Sequence, residues 1–181
     1  MTFSAAFATV TVNDYSLMAW DTAEFSVTAS NFKIIEEFKE SGLAKDDLAL
    51  VILDEEIDLC HLHRVRMVAL PDQHETIIPF ILGKRSMCFA LGWGLTESGL
   101  TAPTLRKTVL IITRVLGETG STDWRDRHYT LAAVGHNFST KPCEGDSGGP
   151  VLCNISGRIV QLTTQPYLML TYVVTFTTAF F

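Results

Sequence analysis

The chain has 181 residues, 47% hydrophobic and 19% charged, which is enough for a sizeable core and too apolar for a disordered chain. Its formal net charge is -6 at pH 7 and its basic residues form no cluster, so a phosphate-backbone ligand is excluded and no nucleic-acid partner is expected. Four cysteines, Cys60, Cys88, Cys143 and Cys153, make no C-x-x-C pair; a disulfide suits at least two of them better than zinc does, and no metal or other cofactor is expected.

The amino terminus has no basic segment ahead of its apolar stretch, and Asp14 interrupts that stretch, a poor match to a signal peptide. Short β-branched segments follow at 9–12, 24–30, 48–57, 64–70, 107–115 and 157–164, many of them alternating. Turn-forming pieces separate them at intervals that suit a sandwich or barrel and not β-α-β units, so the predicted fold class is all-β. Residues 31–42 (NFKIIEEFKESG) carry apolar positions at 32, 34, 35 and 38 and stop at Gly42, which fits either a brief helix or a strand running into a loop. The Gly/Ser/Thr-rich stretch 92–104 is the best candidate for a connector between two lobes. The closing run YLMLTYVVTFTTAFF falls short of the roughly 20 apolar residues of a spanning helix; it reads as β structure, with no membrane partner.

Residues 143–150 read CEGDSGGP. Gly145 to Gly149 fit G-x-S-x-G, but a nucleophile elbow needs a strand before the serine and a helix after it. Here TKPCE precedes as a loop and Pro150 leads into VLC, which is strand chemistry, so the elbow is rejected. The octapeptide instead resembles the segment around the catalytic serine of the trypsin/chymotrypsin family. Three further segments match that family in order: KDDLALVIL (45–53), RVRMVALP (64–71) and CFALGWGLT (88–96).

The resemblance implies two Greek-key β-barrels, with 1–85 as a partial first barrel and 86–181 as the second. It makes Ser147 the nucleophile, Asp47 the acid that orients the base, and the N–H groups of Gly145 and Ser147 the oxyanion hole. It places Lys141 at the base of the specificity pocket, where a cation would repel basic side chains; the alternative is a lysine that reaches solvent with no pocket formed. Cys88 and Cys153 match cysteines that the family joins as a disulfide, whereas Cys143 lacks its downstream partner and is expected free, or bonded to Cys60 or another chain.

The family's order is histidine, aspartate, serine, yet the first histidine is His61. The nearest match to the base segment, residues 4–8 (SAAFA), puts Phe7 where the histidine belongs. His61, His63, His74, His128 and His136 are none of them placed as the base; His61 and His63 beside Cys60 share a face, but no third metal ligand is evident. Met1 falls just before the base segment and Phe181 near the family's closing helix, so the expectation is a domain trimmed at both ends. Asp146 then needs a donor other than the family's amino-terminal ammonium.

The reading is a serine protease homologue of low activity that takes protein or peptide ligands, is extracellular by resemblance, and has strand edges that a partner chain would cover. Its alternatives are an active endopeptidase whose base comes from a longer product or a relocated histidine, and a non-catalytic extracellular binding module. Sequons at Asn137 and Asn154 would accept glycans on a secreted chain.

Overall fold

A computed structural model describes residues 6–34, 49–59, 65–70, 87–117, 129–136, 140–164 and 174–178. These residues form ten strands in three sheets and, among the described residues, no helix, as the all-β reading requires. No helix among them is long and apolar enough to cross a membrane.

Two small antiparallel sheets come first in the chain. β1 (Ala8–Val12) pairs with β2 (Phe25–Ala29), with Val10 opposite Val27 and Val12 opposite Phe25. Along β2, Val27 and Ala29 are buried while Ser26 and Thr28 face out, the two-residue alternation of a half-buried strand. β3 (Asn31–Ile34) pairs with β4 (Ala49–Ile52). The ambiguous segment 31–42 is therefore a strand over its first four residues, and its remainder lies outside the described residues.

The third sheet has six strands. They are β5 (Met87–Gly92), β6 (Arg106–Gly117), β7 (Tyr129–Gly135), β8 (Pro150–Ile155), β9 (Arg158–Thr164) and β10 (Val174–Thr178), in the spatial order β10-β7-β6-β5-β8-β9. Residues two apart share a face, and one face of this sheet is the core: Cys88 and Ala90, Leu110 and Ile112, Leu131 and Ala133, Val151 and Cys153, Val160 and Leu162. Cys88 and Cys153 are disulfide-bonded, as the family resemblance implies. The carboxy-terminal run supplies β10, which lies along β7.

Three expectations change. Residues 64–70 do not make a strand where described: only Ala69 forms a bridge, a parallel one to Val160, its carbonyl accepting the Gln161 N–H at 2.9 Å. Met67 is 84% exposed there, as alternation with no partnering edge among the described residues leaves apolar side chains in water. Of the described residues of segment 48–57, only Ala49–Ile52 form a strand. Beyond it the Asp54 carboxylate accepts both the N–H and the hydroxyl of Ser30, and the Asp54 N–H reaches the Thr28 carbonyl, which turns the chain away. Residues 92–104 do not connect lobes; they join β5 to β6 within one sheet.

Candidate active site

The CEGDSGGP stretch enters β8 through two consecutive turns. The Asp146 N–H bonds to the Cys143 carbonyl and the Gly149 N–H to the Asp146 carbonyl, each at 3.0 Å, so residues 143–146 and 146–149 each close an i to i+3 ring. The third position of each turn is glycine at positive φ, Gly145 at 89° and Gly148 at 82°. A type II turn demands that sign there, and only glycine adopts it without a Cβ penalty. The spacing of glycines around Ser147 thus encodes the double turn. Ser147 takes the second position of the second turn and is half-buried.

Asp146 is the hinge between the two turns. One carboxylate oxygen accepts the Gly94 N–H at 2.8 Å and the other the Cys143 N–H at 2.8 Å. The sequence-based expectation that Asp146 needs a donor is answered by these two main-chain groups, which replace lost hydration of a half-buried carboxylate. The Leu95 N–H also bonds to the Glu144 carbonyl at 2.8 Å, so the turn is docked on the chain leaving β5.

A cleft of about 520 Å³ opens beside Asp146, between the end of β5, the start of β6 and the loop before the turn. Arg106, Lys107 and Lys141 line it. Lys141 is exposed on this cleft. Arg106 lies 3.7 Å from Glu97 in an exposed pair of little energetic worth, and Lys107 sits over the Phe89 ring at 5.9 Å. Cys143, also on the cleft, is a free, half-buried thiol.

Of the other residues singled out from sequence, Phe7 directly precedes β1 and is 67% exposed. His136 is exposed just after β7, its N–H bonded to the Val109 carbonyl. Asp47, Cys60, His61, His63, His74, His128 and Asn137 lie outside the described residues.

One feature that sequence reading missed is the docking of the β1–β2 loop on the β5–β6 loop. The Tyr15 carbonyl accepts the Leu105 N–H at 2.8 Å and the Trp93 indole N–H at 3.2 Å, and the Leu17 N–H reaches the Pro103 carbonyl at 3.0 Å. The loop is shaped from within by Asp21, whose Oδ2 accepts the N–H groups of Tyr15 and Ser16, and by Glu24, which accepts the Asp21 N–H. Asp14, Asp21 and Glu24 place oxygens within 4.8 Å of one another, and main-chain donors already occupy two of these carboxylates. An acid followed three residues later by Glu was the legible signal for that ordering.

A sequence profile of the family described as Trypsin matches residues 4–164. Chymotrypsin-like elastase family member 1 of Rattus norvegicus is 26% identical over 152 residues, 82% of this chain and 54% of the relative. The Homo sapiens protein of the same name is 27% identical over 152 residues, 82% and 56% of the two chains. Granzyme M of Homo sapiens is 27% identical over 126 residues, 68% and 46%. The chain thus spans about half the length of the curated relatives it matches. Since the profile covers most of the chain and the double turn around Ser147 sits in it, the chain belongs to the trypsin family of serine proteases.

Proposed function

We propose that this chain is a serine endopeptidase scaffold for protein or peptide ligands, with Ser147 at the nucleophile position and little catalytic power in the chain as it stands. Asp47 stands at the position of the acid that would orient a base, the Gly145 and Ser147 N–H groups receive the oxyanion, and Lys141 disfavours basic side chains. The observation that carries the reading is the order of residues: no histidine precedes His61, so none precedes Asp47, and Phe7 stands in the segment most like the family's base segment. Without a base the serine keeps its proton, and what remains is on the order of 10³–10⁴ over water from binding and oxyanion contacts. The Cys88–Cys153 disulfide supports a secreted chain, since such bonds persist in oxidising compartments. The division into a first lobe over 1–85 and a second over 86–181 belongs to the same reading.

Labelling with a fluorophosphonate at neutral pH tests it. Slow labelling is expected; rapid labelling that disappears in Ser147→Ala would overturn it. Phe7→His tests the base position itself: labelling at least 100-fold faster supports Phe7 there, and no gain removes that assignment.

A second reading is favoured by one observation, that the chain spans only 54% of the rat relative. In it the histidine lies on further chain of a longer product and the enzyme is active. The intact mass and amino-terminal sequence of the native protein decide: a longer chain with a histidine ahead of residue 4 establishes this reading, and a native start at Met1 ends it.

A further inference from the structure

Gly92 and Gly94 flank Trp93 where β5 ends, and backbone freedom does not account for them. Among the described residues the glycines at positive φ are Gly99, Gly145, Gly148 and Gly157, so Gly92 and Gly94 hold backbone conformations open to other residues. Space accounts for them instead. A Cβ on Gly92 would overlap Asp146 Oδ1 and lie 2.9 Å from its Cγ. A Cβ on Gly94 would lie 2.6 Å from Asp146 Cγ and 2.7 Å from both Asp146 Oδ1 and the Glu144 carbonyl oxygen.

We propose that Gly92 and Gly94 are positioning residues: their two missing side chains form a seat for the Asp146 carboxylate, and that seat fixes the double turn carrying Gly145 and Ser147. Three observations converge on it. The Gly94 N–H holds Oδ1, and the neighbouring Leu95 N–H holds the Glu144 carbonyl, so the turn is gripped on both sides of Gly145. A Cβ on Gly145 would come within 3.2 Å of the Gly94 Cα, so the turn lies directly against the seat. The β5–β8 register, with Ala90 opposite Val151, carries the end of β5 to the start of β8, where the turn ends. Seat and turn therefore meet where two paired strands of one sheet end and begin, and both contacts described for the carboxylate are neutral main-chain donors from the chain flanking those strands. The segment that follows β5 thus holds the turn around Ser147. Its functional meaning rests on reading Ser147 as the nucleophile position; the seat itself does not.

Amide hydrogen exchange on the full chain, with assigned amide NMR spectra, tests the seat without recourse to activity. In the unaltered chain the Gly94 and Cys143 amides are expected to be protected; exchange at the rate of an unstructured peptide overturns the proposal. Gly92→Ala is expected to speed exchange of both amides at least tenfold and to move the Gly145 and Ser147 cross-peaks while the Leu131 cross-peak stays. In an Asp146→Ala background, Gly92→Ala should add less than twofold, because the group it collides with is gone. Effects that multiply instead overturn the proposal. If Gly92→Ala does not fold, the double variant decides: folding supports the seat, and failure to fold shows that Gly92 acts independently of Asp146. A seat upheld with unreactive Ser147 leaves this inference standing and bears only on the nucleophile reading.

Discussion

Cys88 in β5 and Cys153 in β8 are direct register partners, with Cα atoms 4.1 Å apart, and their disulfide joins the strands on either side of the Gly92–Gly94 seat and the double turn around Ser147. The bond closes 65 residues of sequence separation, which in the chain-entropy account corresponds to about 4 kcal/mol of stabilisation. Both sulfur-bearing side chains are fully buried in the core of the six-stranded sheet. Urea unfolding of the Cys88→Ala/Cys153→Ala chain should show a midpoint lowered in keeping with a loss of about 2–5 kcal/mol. An unchanged midpoint would mean that the strand pairing holds these positions without the bond.

Gly145 and Gly148 occupy equivalent places in consecutive turns, yet alanine should cost different amounts. At Gly148 an added Cβ meets nothing within 4 Å, so only the positive φ is penalised, by about 1–2 kcal/mol. At Gly145 the same strain is joined by a contact of 3.2 Å with the Gly94 Cα, which is backbone and yields poorly. Thermal unfolding of the two single variants should place Gly145→Ala below Gly148→Ala. The reverse order would contradict the docking of the turn against β5.

The core face of the six-stranded sheet predicts a contrast between two leucines. Leu110 is fully buried in β6 among Cys88, Leu131 and Val151, so Leu110→Ala removes transfer energy and opens a cavity, a loss of about 2–5 kcal/mol. Leu100, in the loop between β5 and β6, is 69% exposed, and Leu100→Ala should change stability by no more than about 0.5 kcal/mol. Equilibrium denaturation of both variants checks the pair. A large loss at Leu100 would show that the loop is covered in the folded protein.

Where residues carry their own geometric demand, the sequence was legible. The glycines around Ser147 announced turns because only they tolerate the backbone angles there, and the alternation in 107–115 and 157–164 matched β6 and β9 because one face of each is core. Segment 64–70 alternated just as well and is not a strand over its described residues 65–70, since a strand also needs a partner edge, which sequence does not display. The stretch 92–104 looked like a lobe connector from its composition, though it is a loop whose Trp93 is fixed by the Tyr15 carbonyl, a contact across 78 residues. The purpose of Gly92 and Gly94 was hidden for the same reason: what forbids a side chain there is a carboxylate more than 50 positions away, 52 in the hydrogen bond from Gly94.

The β8–β9 hairpin offers a stabilising change. Ile155 pairs with Arg158, leaving Ser156 at φ 54° and Gly157 at φ 87° as its two turn residues. Positive φ at both centres is the mark of a type I′ turn, which suits the right-handed twist of the strands and favours Asn-Gly. Ser156 is the less suited of the two, because serine enters the left-handed region less readily than asparagine. Asn154 already caps the turn, its Oδ1 accepting the Gly157 N–H at 2.9 Å, and a change at the exposed position 156 leaves that bond intact. Ser156→Asn should therefore raise stability by about 0.5–1 kcal/mol, read as a higher urea midpoint with an unchanged slope. The same substitution removes the Asn154 sequon, so the comparison is made on chain produced without glycosylation. A lower midpoint would show that Ser156 supplies a contact worth more than the relief of its backbone strain.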